Sequence, residues 1–122
     1  MPKLDVMQEL ESAPDAKTDL DKIAYSVAMA ETHNCKLGYG AEYNNCFGIK
    51  QGNTAPCQKV GRNSMCVYST PEESYVAFKT IWQKWYGGGL PNQKQATCWV
   101  NGCGSNKIPY KWIENVHYYY YA

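Results

Sequence analysis

One acidic residue, Glu31, stands where a carboxyl group could exchange protons near neutral pH. Apolar residues precede it at the spacing of a single helix face, so Glu31 shares the apolar stripe of its own helix with Leu20, Ala24 and Val27. Burial on that face and the negative end of the helix dipole both oppose the charged form, so both raise the pKa of Glu31. We therefore expect a general acid. The alternative is a helix-terminal Glu that swings into solvent and forms a surface ion pair.

Two further segments follow this helix in a fixed order. The first is the turn-forming Asn45-Cys46-Phe47-Gly48-Ile49-Lys50, and the second is Tyr68-Ser69-Thr70-Pro71-Glu72-Glu73-Ser74-Tyr75. Together with Ala28-Met29-Ala30-Glu31-Thr32, they resemble the active-site half of the lysozyme superfamily. The pattern is most similar to the autolysin and flagellar glucosaminidase family, which has Ala-x-x-Glu-Ser, Asn-Leu-Phe-Gly-Ile-Lys and Tyr-x-Ser-x-Glu-Glu-Ser-Phe. The resemblance covers the chain from about residue 19 to residue 122.

The resemblance implies cleavage of β-1,4 glycosidic bonds in the glycan strands of peptidoglycan, with Glu31 as the catalytic acid. It also implies that Asn45, Phe47 and Gly48 bind substrate on the floor of a cleft. Tyr68, in the third segment, and Tyr110, near where the family places a tyrosine that contacts the acid, are further substrate-binding candidates. Aromatic side chains with a polar group can stack on sugar faces, which adds several candidates: Tyr39, Tyr43, Trp99 and Trp112.

A second carboxylate is harder to find, although most glycosidases use two. The family often has a further Glu after its Phe-Gly-Ile-Lys segment, whereas residues 51–65 of this chain contain no acid. Glu72 and Glu73 fit the start of a helix, and Glu42 precedes the Asn-Asn turn. Goose-type lysozymes and lytic transglycosylases, to which the chain is also similar, work with one dominant Glu. The reaction is therefore either glucosaminidase or muramidase hydrolysis or lytic transglycosylation, and the rival is a non-catalytic wall-binding or structural module.

Six cysteines in so small a chain favour disulfides over free thiols. Six cysteines allow 15 connectivities, but their order suggests three local loops: Cys35–Cys46, Cys57–Cys66 and Cys98–Cys103. The competing interpretation is a zinc site that uses cysteines with His33 or His117, but no Cys-x-x-Cys occurs. Disulfides indicate an oxidising location, which is extracellular, periplasmic or virion-associated.

The elements that must position these residues are mostly helical. Residues 1–17 form an N-terminal tether or short helix, and residues 18–122 form the catalytic domain. We expect a first helix capped by Thr18, an irregular lobe with a brief strand at 67–68, and a second helix that starts at Pro71. The core stripe of that second helix is predicted as Tyr75, Phe78, Ile81, Trp82 and Trp85. A third helix over 94–100 and a last one opened by Pro109 complete an α+β, lysozyme-like fold with a short irregular or β lobe, stapled by disulfides.

The composition and charge of the chain limit the classes of protein and of binding partner that remain. The chain has 122 residues, 44% of them hydrophobic, and a net charge of +1, which argues against disorder and against a nucleic-acid partner. Residues 1–23 hold three Lys against six Asp and Glu, and the remainder holds nine Lys and Arg against five Glu. That mildly basic remainder suits an anionic polymer such as the cell wall, bound alone or within a larger virion or envelope assembly. No signal-peptide core, membrane helix, metal site or cofactor motif is expected.

Overall fold

Five α-helices and one 3-10 turn make up the part of the chain that the structure, a computed structural model, describes: residues 16–52 and 56–122. The helices are α1 (Ala16–Thr32), α2 (Gly38–Tyr43), α3 (Pro71–Tyr86), α4 (Gln93–Asn101) and α5 (Tyr110–Tyr121), and the 3-10 turn is Arg62–Ser64. The predicted tether or short helix over residues 1–17 lies outside the described residues, except for its last two residues. Those two belong to α1, which therefore starts before the predicted cap at Thr18.

The fold is mostly helical, and its β content is smaller than predicted. Within the described residues the β structure is limited to two isolated antiparallel bridges, Lys50 with Met65 and Val60 with Cys66. The brief strand expected at residues 67–68 does not form. Its two backbone N–H groups bond to different segments, to the carbonyls of Lys59 and Tyr43, so no single neighbouring strand pairs with it. Residues 44–52 and 56–70 are therefore an irregular lobe between the helices.

Helices α1 and α5 form the main packed pair and run antiparallel. Near the start of α1, the Tyr120 hydroxyl donates a hydrogen bond to the buried carboxylate of Asp19. Near the end of α1, the indole of Trp112 donates to Glu31. The fully buried apolar side chains that these two helices contribute are Ile23, Ala24, Val27, Ala28 and Val116. The two ends of α5 therefore fix the two ends of α1.

Helix α3 begins and ends where its local signals predict. The Thr70 hydroxyl caps it by accepting a hydrogen bond from the backbone N–H of Glu73, Pro71 occupies the first turn, and Gly87 ends it with φ of 81°. Its predicted core stripe is wrong at Trp85, which is 53% exposed. The stacked rings of the helix instead follow an i, i+4 row that turns away from Trp85: Phe78, Trp82 and Tyr86.

The cysteines pair as predicted. Cys35–Cys46, Cys57–Cys66 and Cys98–Cys103 all lie at disulfide distance, with Cα–Cα separations of 4.4, 5.7 and 3.8 Å. No cysteine is free, and the described residues contain no cluster of three His, Cys, Asp or Glu side chains that could hold a metal ion. These disulfides are compatible with an oxidising environment. Within residues 16–52 and 56–122 we find no helix with the length and apolar character needed to cross a bilayer.

Candidate functional site

An open cleft of about 710 Å³ separates the irregular lobe from α4, and Glu31 lies in it. The end of α1 and the start of α2 form one wall, the lobe forms the floor, and α3 and α4 form the opposite wall. The lining residues on the α1, α2 and lobe side are Glu31, Thr32, Leu37, Gly38, Tyr39, Gly48, Ile49, Lys50 and Met65. Those on the α3 and α4 side are Ile81, Tyr86, Cys98, Trp99, Val100, Asn101 and Gly102.

The two carboxyl oxygens of Glu31 have different surroundings. Oε1 accepts a hydrogen bond of 2.8 Å from the indole N–H of Trp112. Oε2 faces Gly48 so closely that a Cβ atom added there would lie 3.3 Å from it. Burial raises the pKa of Glu31 to about 7, while hydrogen bonds from the indoles of Trp112 and Trp99 act in the opposite direction. Near neutral pH the group is therefore populated in both forms and can give or accept a proton.

The turn after α1 explains why Glu31 lies at a helix end and also at a cleft. Thr32 closes the helix, because its buried hydroxyl donates to the Cys46 carbonyl at 2.7 Å and accepts from the Cys35 N–H at 2.9 Å. The next three residues, 33–35, all have positive φ angles, which reverses the chain at once. Gly40 then packs against this turn, where a Cβ atom would lie 2.6 Å from the Cys35 Cα atom. The tight reversal leaves the last turn of α1 uncovered on its cleft side.

A disulfide and a set of side-chain hydrogen bonds hold Gly48 against Glu31. The Cys35–Cys46 disulfide ties the lobe to the turn after α1. Asn45 then closes the lobe on itself, because its Oδ1 atom accepts from the Ile49 N–H and its Nδ2 atom donates to the Ile49 and Cys66 carbonyls at distances of 2.9–3.0 Å. Gly48 adopts φ of 68° inside that closed loop, a left-handed conformation that favours glycine.

The predicted substrate-binding residues do not all meet at the cleft. Of the five, Gly48 belongs to its lining, next to Glu31. Asn45 and Phe47 are fully buried, and Phe47 stacks on Phe78 of α3 with ring centroids 4.4 Å apart, so both side chains hold the loop in place. Tyr68 is half-buried against the core, and Tyr110 is 63% exposed at the start of α5; neither is among the lining residues.

Two of the three other acids considered as partners for Glu31 have structural partners of their own, and the third, Glu72, lies in the first turn of α3. Glu42 forms an exposed bidentate pair with Arg62, at 3.2 Å to Nε and 2.6 Å to Nη2, and that hydrogen bonding lowers the pKa of Glu42. Glu73 accepts from the Ser69 N–H at 3.1 Å in the first turn of α3, where Glu72 also lies. Among the described residues, Glu31 is the one carboxyl group that lines the cleft.

Three side chains have a larger part in the site than the sequence indicates. Trp112 was expected to stack on a sugar face, and its indole N–H instead donates a hydrogen bond to the Glu31 carboxyl group. No local signal could reveal this pairing, because the two residues are 81 positions apart. Tyr86 and Lys50 line the cleft without having been singled out. For Lys50 a signal existed, since it ends the same short segment that contains Gly48.

No protein-family model matches this chain, and comparisons with characterised proteins and with solved structures find no significant match. Function therefore has to be inferred from the chemistry of Glu31 and of the cleft around it.

Proposed function

We propose that this protein cleaves β-1,4 glycosidic bonds in the glycan strands of peptidoglycan, with Glu31 as its single catalytic carboxyl group. The observation that supports this most strongly is a carboxyl group in an open cleft whose pKa burial raises to about 7. Breaking such a bond requires a proton on the leaving oxygen, and an acid of this kind still holds one near neutral pH. We further propose that the helical domain, with its acid at the end of the first helix, has a lysozyme-like fold.

In the proposed reaction, protonated Glu31 gives its proton to the glycosidic oxygen as the bond from that oxygen to the anomeric carbon breaks. The carboxylate left behind is stabilised by the N–H of Trp112. It then takes a proton from the attacking group as that group bonds to the anomeric carbon. If the attacking group is water, the product is a reducing sugar; if it is a hydroxyl of the substrate itself, the product is an anhydro sugar.

The lone carboxyl group decides which mechanisms remain open. Glu31 is the one acid lining the cleft among the described residues, so those residues offer no carboxylate nucleophile beside it. The nucleophile is then water, a substrate hydroxyl, or the acetamido group of the substrate, as in substrate-assisted glycosidases. The same observation favours the second candidate function, a wall-binding or structural module that holds a glycan strand without cutting it.

Digestion of purified peptidoglycan followed by mass spectrometry of the soluble products tests the proposal. Anhydro ends identify a transglycosylase, reducing muramic ends a muramidase, and reducing glucosamine ends a glucosaminidase. Glu31→Gln should lower product formation by several orders of magnitude, whereas Glu114→Gln, which changes an exposed acid of α5, should match the unmodified protein. Turnover that survives in Glu31→Gln would refute the assignment, and strand binding without products would establish the binding module.

If a second carboxylate takes part after all, Glu42 is the one to test. The proposal expects Glu42→Gln to keep most of the activity, because its side chain pairs with Arg62 outside the cleft. A loss as large as that of Glu31→Gln, with the fold intact by circular dichroism, would show a two-carboxylate hydrolase.

A further inference from the structure

Among the residues that the structure describes, one charged side chain besides Glu31 lines the cleft. Of its lining residues, Lys50 alone carries a positive charge. Lys50 is exposed, and its ammonium group makes no salt bridge with any residue in the described ranges. Other lysines of the same region, such as Lys36 and Lys59, are also exposed but do not line the cleft. The ammonium group of Lys50 is therefore a cation in the cleft that no residue of the described ranges neutralises.

The backbone places Lys50 close to the acid. Gly48 faces Glu31, and the next two residues, Ile49 and Lys50, line the same cleft. Lys50 then pairs with Met65 in an antiparallel bridge. Met65 lines the cleft as well, so the bridge keeps Lys50 at the cleft. Lys50 and Gly48 therefore belong to the same floor of the cleft that the Glu31 carboxyl group faces.

The charge of the cleft depends on the state of Glu31. When Glu31 is protonated, and so able to donate a proton, it is neutral. The lining of the cleft then carries the positive charge of Lys50 alone among the described residues. A cleft with one sign of charge and apolar walls concentrates ligands of the opposite sign. The aromatic lining, Tyr39 and Trp99, offers faces for sugar rings. A sugar chain with an acidic substituent matches both properties.

We propose that Lys50 binds a carboxylate carried by the glycan substrate, so that the cleft prefers amino-sugar chains with acidic substituents over neutral ones. The inference rests on the proposed function only for the identity of the sugar chain. Such a carboxylate has two sources in peptidoglycan: the lactyl ether on alternate sugars, where no peptide is attached, or the peptide stem itself. Both present the same chemistry to an ammonium group, and Lys50 serves as a specificity-determining residue in either case.

Binding measured without cleavage tests this directly. Glu31→Gln provides a protein in which the acid is replaced by a neutral side chain, and Lys50→Gln is added to it. Isothermal titration calorimetry then uses three oligosaccharides of equal length: a neutral N-acetylglucosamine chain, a peptide-free glycan with free lactyl carboxylates, and a glycan with its peptide stems. Lys59→Gln in the same background is the matched control, since it removes an exposed lysine of the lobe outside the cleft.

We expect Lys50→Gln to weaken binding of a carboxylate-bearing glycan by about three- to fivefold, as for a solvent-accessible ion pair. Binding of the neutral chain should not change, and the difference should shrink as salt rises. Which of the two acidic ligands loses affinity identifies the source of the carboxylate. Equal weakening of all three ligands, no weakening, or no binding of either acidic glycan would overturn the inference. If the unmodified protein cuts no glycan but shows this binding pattern, the catalytic proposal fails and the inference about Lys50 stands.

Discussion

Replacing Glu31 by Gln should stabilise the folded protein above neutral pH, in addition to its effect on catalysis. Burial raises the pKa of Glu31 to about 7, from 4.5 for an ordinary Glu. At low pH both the folded and the unfolded chain are protonated at this position, so the group contributes nothing. As the pH rises through 4.5 the unfolded chain releases its proton first, and the free energy of unfolding falls until the folded group also ionises near pH 7.

The size of this effect follows from the two pKa values. Each unit of difference between the folded and unfolded pKa corresponds to about 1.36 kcal/mol. The free energy of unfolding should therefore fall by about 3 kcal/mol between about pH 4 and pH 8. Gln carries no proton to lose, so Glu31→Gln should not show this loss. It also keeps a carbonyl oxygen that can accept the Trp112 N–H. The stability difference between variant and unmodified protein should therefore grow by about 3 kcal/mol in favour of the variant over this range.

Urea unfolding with the disulfides intact, followed by far-UV circular dichroism at several pH values, measures this difference. Glu42→Gln is a control of opposite sign. The Arg62 partner lowers the pKa of Glu42, so the ionised Glu42 stabilises the folded protein at high pH and this stabilisation is lost as the pH falls. If the stability of Glu31→Gln runs parallel to that of the unmodified protein from pH 4 to pH 8, the carboxyl group is not held as the structure places it, and the reasoning about its pKa is refuted.

Three further outcomes are expected. Trp112→Phe removes a hydrogen bond that favours the charged form of Glu31, so the alkaline limb of the pH–rate profile should move up by about one pH unit; a limb that stays or moves down contradicts this. Gly48→Ala should cost about 1 kcal/mol of stability from its positive φ and lower turnover at least about tenfold by displacing the carboxyl group, whereas Gly52→Ala, with open space around it, should change neither. Peptide mapping without reduction should recover Cys35–Cys46, Cys57–Cys66 and Cys98–Cys103, and free thiols would argue against the oxidising location.

Features set by neighbouring residues could be predicted from the sequence. The start of α3 follows from a capping threonine, a proline and two acids in a row, and its end follows from Gly87. Helix α4 is one residue longer at each end than predicted, and its start is fixed by a reciprocal cap between Asn92, just before the helix, and Gln95 in its first turn. The disulfide pairs also followed from sequence order, because each one closes a loop of fewer than about a dozen residues.

Features set by distant contacts could not be predicted in the same way. Asn45 and Phe47 were expected to bind substrate on the floor of a cleft, whereas long-range packing buries both side chains inside the protein. Trp85 matched the apolar spacing of α3. The stacked rings of Trp82 and Tyr86 instead face α4, where Tyr86 contacts Trp99, and Trp85 stays exposed to solvent. The role of Glu31 as an acid stays a prediction, although its environment is the one that such a role requires.

The indole of Trp112 reaches the carboxyl group of Glu31 across 81 positions of sequence, and this has a consequence for the order of folding. A contact of such length closes a large loop and forms late compared with local turns and disulfide loops. During synthesis the chain emerges from its N-terminus, so α1 is available well before α5 exists to pack against it. Until then Glu31 lacks the Trp112 hydrogen bond and the part of its burial that α5 provides. The environment that the proposed reaction requires of Glu31 is therefore complete only after the last helix has docked.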